Sequence, residues 1–398
     1  MTDDIRPWWV SKAAWAALCI FVFSIPWEKS IQLPGATTLS HMLGVVAFGA
    51  AAAVAWRRGS VRRPNLALAL AGAFVVWAAL TWIWSIDRSA TVARVKTLAE
   101  LLAMTLLIWD SCRGESRQRH LMQAYVLGAV AASASAYFRY FHDMQTYWRR
   151  YAAAGFDPND FGLILAISIP LALYLAMRGG LAGWLNRLAV VFIIGAVLLT
   201  ASRMAMVATF AAFAFPLLAW NLSGRSQRAA SVLLLAVLVL GVFRFAPAPA
   251  RQRLSTITTE LTTGTLHNRT TIWKTGLKIF PRHALAGIGA GAYPEAVKPV
   301  LGVPGVPGHF YVAHNTFLSV LVECGLAGFT LYGLMLAVAA FYVWTMQPAE
   351  RALWAVILAV WAIGVSTLTW EQYKPSWLII ALIMTEWALP WRAAGKQQ

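Results

Sequence analysis

The sequence predicts an all-α integral membrane protein of about twelve transmembrane helices, with one long loop between spans that carries short amphipathic helices. Three observations predict it. Of the 398 residues, 59% are hydrophobic and only 12% charged, whereas a soluble domain carries roughly 25% charged residues. The mean hydropathy is +0.61. The apolar residues gather into runs of about 17–25, the length at which a helix crosses a bilayer, and arginines fall between them at every second loop. Burying this much apolar surface in water needs a core larger than a chain of this length builds. Lipid is the solvent that fits.

The runs lie near 8–26, 38–56, 65–84, 92–109, 120–141, 159–177, 186–201, 203–220, 229–245, 320–344, 351–370 and 375–391. No internal repeat and no low-complexity segment interrupts them. The leader Thr2-Asp3-Asp4-Ile5-Arg6 is nearly neutral and lacks a clear small-x-small cleavage site. The first run therefore reads as a retained span and not as a signal peptide. The 20 tryptophans suit anchoring at two membrane interfaces.

Charge fixes an expected orientation. The formal net charge of +17 would suggest nucleic acid in a soluble protein. Here the bases sit between apolar spans, so loop placement and anionic lipid account for most of them, and no nucleic-acid partner is expected. Arg57, Arg58, Arg62 and Arg63 share one loop. Arg113, Arg117 and Arg119 come two spans later, then Arg178 with Arg187, Arg225 with Arg228, Arg351, and finally Arg392 with Lys396. The positive-inside rule makes that side, with both termini, cytoplasmic. The division that follows is residues 1–245 for nine spans, 246–313 for one large loop on the opposite side, and 314–398 for three more spans. The 3 cysteines, Cys19, Cys112 and Cys324, form no CxxC or zinc pattern, so no disulfide and no cysteine-ligated metal is expected.

The loop 246–313 has proline-rich edges and a helical middle. Loops this long without a role are uncommon. Asn268 is placed to cap a helix running to about Phe280 and ended by Pro281. Trp273, Leu277 and Phe280 fall on one face, with Lys274 and Lys278 on another, which reads as an amphipathic helix at the membrane surface.

Bases on this second side are disfavoured by the rule and so carry information. Arg203 sits in the short turn Thr200-Ala201-Ser202-Arg203 between two spans. Arg149 and Arg150 precede Gly155-Phe156-Asp157-Pro158-Asn159-Asp160. Arg269, Lys274, Lys278 and Arg282 lie in the long loop. A basic cluster at one face suits a fixed anion, and Arg binds phosphate through two parallel donors. Arg149, Arg282 and the lysines read as side chains reaching toward lipid phosphates; Arg203 and Arg269 read as ligand-binding. His314, in His314-Asn315-Thr316-Phe317-Leu318, stands where the loop enters a helix that Asn315 can cap. The positive end of the helix dipole there favours a neutral imidazole, which is the form that acts as a general base. His267, His283 and His309 share the loop without that setting. Glu323, inside an apolar helix, is either functional or the partner of a buried base, the second reading being the stronger. The run Gly287-Ile288-Gly289-Ala290-Gly291-Ala292-Tyr293 lacks the strand–loop–helix surroundings of a nucleotide site; its glycines suit close backbone packing at the mouth of a cleft. Asp157 and Asp160 are weak evidence for a metal, and no metal or other cofactor is expected.

These residues resemble the O-antigen ligase and polymerase superfamily in three blocks. The first is Arg150 with Gly155 and Asp157-Pro158-Asn159-Asp160-Phe161-Gly162. The second is Ser202-Arg203. The third runs from Arg269 and Trp273 through Pro281, Gly287-Ile288-Gly289 and Tyr293 to His314-Asn315, Glu323, Gly325 and Gly328; Trp84-Ser85-Ile86-Asp87 also fits. The resemblance implies a GT-C-like architecture in the bacterial inner membrane. It implies a metal-independent, inverting transfer of a glycan from undecaprenyl diphosphate to a sugar hydroxyl of lipid A–core at the periplasmic face. On this resemblance His314 is the general base. Arg203, Arg269 and Arg150 face the diphosphate, and Asn315, Trp273 and Glu323 support them. The expected partners are the lipid-linked donor, the lipid A–core acceptor and membrane lipids, with no obligate protein partner. An O-antigen polymerase and a protein O-oligosaccharyltransferase are alternatives within the resemblance. A transporter of lipid-linked sugars is a more distant one, since transporters more often show internal repeats and midplane charges.

Overall fold

The computed structural model describes residues 8–35, 37–146, 150–222, 224–245, 269–301 and 311–389. Among these residues the protein is all-α apart from one two-residue hairpin, β1 (Gln32–Leu33) with β2 (Thr37–Thr38). The helices are α1 (Trp8–Ser24), α2 (Leu39–Arg58), α3 (Leu66–Leu80), α4 (Arg88–Ser111), α5 (Glu115–Phe141), α6 (Pro158–Ala176), α7 (Gly180–Thr200), α8 (Arg203–Ala212), α9 (Ala214–Leu218) and α10 (Arg225–Phe245). After them come α11 (Arg269–Ile279), α12 (Tyr293–Leu301), α13 (Thr316–Trp344), α14 (Pro348–Val365) and α15 (Lys374–Trp387).

Each apolar run read from the sequence coincides with a helix, α8 and α9 sharing one run. Among the described residues seven helices are long and apolar enough to cross a membrane: α2, α3 with its 3-10 extension, α5, α6, α7, α13 and α14. The apolar helices at α1 and at α8–α9 are shorter. In α4 the charges Arg94, Lys96 and Glu100 interrupt the apolar stretch, and α15 has only 14 residues.

The helix starts are set by short polar side chains, as capping chemistry requires. Asn65 accepts from Leu68 N, Asp87 from Ala90 N, Ser202 from Ala205 N and Asn315 from Leu318 N. Helix α6 is the centre of the bundle, 89% of its apolar stretch being buried, against 11% for the peripheral α2. It packs on α5, α7, α8 and α14. Lipid tails are as apolar as leucine, so helices in a membrane associate through close packing and interhelical polar bonds. Both are present. A Cβ at Gly162 of α6 would overlap Ala205 of α8. Gln118 of α5 donates to Leu382 O of α15 at 2.8 Å and accepts from Thr385 at 2.6 Å.

At one end of the bundle Asp110 gathers the arginine loops. Arg58 and Arg113 bond its carboxylate at 2.6 and 2.8 Å, and Arg62 N donates to it at 2.8 Å. The loops α2–α3 and α4–α5 therefore share a side, as their arginines suggested.

At the opposite end residues 269–301 form a cap on the first half of α13. Its own apolar cluster holds Ile272, Ile288, Tyr293, Val297, Leu318 and Val322. The buried face of α11 is Ile272, Thr275 and Gly276, while Leu277 is 50% exposed. The sequence expectation set Trp273, Leu277 and Phe280 together on the face that meets the membrane surface; the stripe packed inward includes Ile272, whose carbonyl accepts from the Tyr293 hydroxyl at 2.9 Å. Asn268, the expected cap, lies outside the described residues, as do Arg149, His267 and His309.

Helix α13 is broken at Gly325, with φ 66° and ψ −173°. Non-helical backbone inside a bundle needs other partners for its polar groups, and the loop 284–289 supplies them. Ile288 N and Gly289 N donate to Val322 O and Glu323 O at 3.1 and 2.9 Å, and Leu326 N and Ala327 N donate to Ala284 O and Leu285 O at 2.8 and 3.2 Å. The two chains run so close that a Cβ at Gly287 would overlap Glu323 O, and one at Gly325 would overlap Leu285 O. The glycine run is thus a backbone-packing device.

Candidate functional site

The first turn of α6 is the hub of the site. Asp157 caps the helix by accepting from Asn159 N at 2.7 Å. Asn159 turns to the α7–α8 corner: its Oδ1 accepts from Ser202 Oγ at 2.9 Å and from Arg150 Nη2 at 2.8 Å. Asp160 turns a third way, accepting from Trp370 Nε1 at 2.8 Å and from the Tyr373 hydroxyl at 3.0 Å.

The corner that carries Arg203 is held from several directions. Ala201 closes α7 in the left-handed region, φ 47°, and Ser202 opens α8 immediately after it. Arg150 Nε donates to Thr200 O at 2.7 Å. Arg150 is only 3% exposed, so the residue expected to face the diphosphate is a buried side chain with one donor on the α7–α8 turn and another on Asn159 of α6. Arg203, the first residue of α8, is half-buried.

His314 is set by the start of α13. Asn315 Oδ1 accepts from Leu318 N at 3.0 Å while its Nδ2 donates to Ser366 O at 3.1 Å, so the cap is tied to the segment after α14. Thr316 adds bonds to Leu368 O and from Trp370 N at 2.9 and 2.7 Å. On the other side Trp273 Nε1 donates to Ala313 O at 2.8 Å. Between these anchors His314 has φ 47°, a strained backbone for a non-glycine residue.

The electrostatics join these groups. The His314 pKa is lowered from 6.5 to about 4, first by burial and then by the positive charge of Arg269, with Asp157 opposing. The direction matches the sequence expectation, with burial and the charge of Arg269 as its causes. His314, Arg269 and Asp157 therefore share one electrostatic neighbourhood, and Asp157 is two residues from the Asn159 that holds the Arg203 corner. The helices α6, α8, α11 and α13 all begin around it.

Glu323 stands apart from this cluster. It is 3% exposed, its Oε2 accepts from Gly291 N at 2.8 Å and its Oε1 from Tyr293 N at 3.3 Å. Arg94 lies 3.4 Å away and also pairs with Glu371. Glu323 is thus the structural partner of a buried base, and it fixes the glycine loop from below. Neither Arg94 nor Glu371 stood out in the sequence; a lone arginine inside an apolar run was the signal available for Arg94. Asp157 was legible as part of a block resembling the family and as a weak metal candidate, not as a neighbour of His314. Among the described residues no cluster of three His, Cys, Asp or Glu side chains is arranged to hold a metal. Lys274, Lys278, Arg282 and His283 are exposed on the cap.

The helical bundle, seven of whose described helices are long and apolar enough to cross a membrane, thus brings the starts of four helices together around His314 and Arg269. The model of the O-antigen ligase family matches residues 188–333 and supports membership of the O-antigen ligase and polymerase superfamily, a group of glycosyltransferase-like enzymes. That stretch holds Arg203, Arg269, Trp273, His314 and Glu323; Arg150, Asp157 and Arg94 precede it. No curated protein matches the chain.

Proposed function

We propose that the chain is an O-antigen ligase. It transfers a glycan from undecaprenyl diphosphate to a sugar hydroxyl of lipid A–core, at the periplasmic face of the bacterial inner membrane. The observation that carries the reading is the pairing of a neutral, anchored His314 with Arg269 beside it and Arg203 at a fixed corner. In this reading residues 1–245 and 314–398 form a bundle of twelve spans with both termini cytoplasmic, and residues 246–313 are periplasmic.

The acceptor hydroxyl oxygen attacks the anomeric carbon of the donor sugar while the bond from that carbon to the diphosphate oxygen breaks. The attack comes from the opposite side, so the configuration inverts. His314 takes the hydroxyl proton. Arg203 and Arg269 meet the charge that grows on the departing lipid diphosphate. The diphosphate is already a good leaving group, so neither a nucleotide nor a metal is required. Before the donor binds, Arg269 holds the imidazole pKa down. A diphosphate seated on Arg269 offsets that field, so donor binding raises the basicity of His314 when the acceptor arrives. Arg150 acts through Asn159 and Thr200, as a positioning residue.

The second reading is an O-antigen polymerase, whose acceptor is a lipid-linked glycan. Complementation of two strains separates them, one lacking its ligase and one lacking its polymerase, with lipopolysaccharide ladders read on gels. Restoration of the ladder in the ligase-deficient strain alone is expected. Restoration only in the other strain overturns the ligase assignment.

A further inference from the structure

Away from His314, a cavity of about 520 Å³ lies between α1, α2 and α4. Its walls are apolar along Phe21, Val45, Phe48, Leu101, Met104 and Leu107. Val45 and Phe48 are 55% and 52% exposed, so the cavity opens sideways past α2. Its rim is polar, formed by Glu28, Lys29, Gln372, Tyr373 and Lys374, with His41 and Glu100 facing each other at 3.6 Å.

The rim charges are unevenly matched. Lys374 bonds Glu28 at 2.5 Å. Lys29 Nζ instead bonds the Tyr373 hydroxyl at 3.2 Å and lies 4.7 Å from the centre of that ring. Among the described residues Lys29 pairs directly with no carboxylate. Tyr373 in turn donates to Asp160, so Lys29 reaches the hub of the candidate site through one phenol. The first turn of α6 therefore serves two directions: Asn159 faces the Arg203 corner and Asp160 faces the Lys29 rim.

We propose that this groove seats one hydrocarbon chain of the acceptor lipid, with an anionic head group at Lys29. The proposal rests on the reading of the chain as a transferase between two lipid-linked substrates and assigns the second of them a place. The volume falls in the range of about 300–1,000 Å³ that encloses one small apolar ligand, so it suits one chain and not the whole body of a multi-chain lipid. An apolar trough ending at a cation matches an amphiphile with a phosphate on its head. The donor diphosphate has cations of its own at Arg203 and Arg269, on the other side of the α6 turn. Two amphiphiles that must react need separate lateral berths, and Asp157 lies within electrostatic reach of both His314 and Tyr373. A chain gains little by moving from bilayer to groove, because both are apolar. Selectivity therefore falls on Lys29.

The test is equilibrium binding to the purified full chain in detergent, followed by tryptophan fluorescence, and it needs no turnover. Two probes are used: a bis-phosphorylated, acylated glucosamine disaccharide lipid, and undecaprenyl phosphate. Ala103→Trp fills the groove from a half-buried wall position, and Lys29→Gln removes the rim cation. Both should weaken the disaccharide lipid by about ten-fold or more and leave undecaprenyl phosphate unchanged, which also shows that the variants are folded. If undecaprenyl phosphate alone is weakened, the groove belongs to the donor and the proposal fails. If neither probe responds to Ala103→Trp or to Lys29→Gln, the groove takes bulk lipid only and the proposal fails. A wild-type chain that binds the disaccharide lipid in this manner yet restores no ladder refutes the proposed reaction and leaves the groove assignment standing.

Discussion

Trp273 and Ala313 are joined by a 2.8 Å hydrogen bond from the indole Nε1 to the carbonyl oxygen. The bond fastens the helix that begins with Arg269 to the residue before His314. The proposed diphosphate cation and the proposed base are thus linked through one contact. Ala313 is 1% exposed, so its carbonyl has little access to water when the indole is lost.

Trp273→Phe keeps an aromatic ring and removes the donor. Leaving a buried acceptor unsatisfied costs about 1–3 kcal/mol. Relaxation of the 313–314 backbone should cost about ten-fold in transfer rate if roughly 1.4 kcal/mol of that appears at the transition state. Steady-state transfer with saturating donor measures it. A Trp273→Phe enzyme with the wild-type rate removes the contact from the site's framework.

Arg94 should be a stability residue. It is the cation beside both Glu323 and Glu371, each 3% exposed or less. Removing one partner of a buried ion pair costs about 3–5 kcal/mol, because the remaining charge is left uncompensated. Arg94→Leu should lower the thermal midpoint of the detergent-solubilised protein. The double variant Arg94→Leu/Glu371→Leu should recover part of the loss, since it also removes one of the two carboxylates. An unchanged midpoint in Arg94→Leu would show that the triad contributes nothing to stability.

The helices were legible because apolar runs announce themselves by length and apolarity, and the start of α13 by its single capping residue Asn315. His314 and Arg203 were legible as polar residues at span ends, where a side chain has a confined position. Other features depended on tertiary contacts that a linear pattern does not carry. The stripe of α11 that faces inward is chosen by Tyr293, more than a dozen residues downstream. Arg150 read as a diphosphate ligand, and it took the carbonyl of Thr200 and the side-chain amide of Asn159 to show it as a buried side chain bonded within the protein. The cation at Arg94 and the groove under Lys29 are assembled from segments hundreds of residues apart, each of them ordinary when read alone.

The sidedness proposed from the arginine loops has a direct check. Leu277 is half exposed on α11, on the opposite end of the bundle from Asp110. In a chain whose own cysteines are replaced by alanine, Leu277→Cys should react with a membrane-impermeant thiol reagent in cells with a permeabilised outer membrane. Reaction only after inner-membrane lysis would place the cap in the cytoplasm and remove the periplasmic chemistry built on it.

The pH behaviour of His314 follows from its causes. In the free enzyme the imidazole is neutral above about 4, whereas an unperturbed one titrates at 6.5. Burial is the larger cause, so Arg269→Gln should raise the value only part of the way, to between those two. Carbethoxylation of His314, read by peptide mass spectrometry, reports the neutral fraction. The same shift affects stability. As pH falls from 6.5 toward about 4, the unfolded chain takes up a proton that the native site refuses, so native stability is lost across that window. His314→Gln should flatten the fall in thermal midpoint over this range. A midpoint profile identical to wild type would show that His314 is protonated alike in both states.

Binding and catalysis should separate among the three central residues. His314→Gly suits the left-handed backbone at this position and removes the imidazole, so the loop can keep its course while the base is absent. Loss of a general base alone typically costs about 10²–10⁴ in rate, and donor affinity should stay near wild type because His314 carries no charge for the diphosphate. Arg203→Ala and Arg269→Ala act differently, since each removes a charge-assisted contact to the donor head group. Both should weaken binding of undecaprenyl diphosphate as well as turnover. The two arginines stand at the starts of different helices, so each should weaken the donor without unseating the other. Donor affinity measured by titration, beside single-turnover transfer, distinguishes the two patterns. A fully active His314→Gly enzyme removes the histidine from the reaction. Unaltered donor affinity in both arginine variants removes the diphosphate from that corner, even with the family assignment intact.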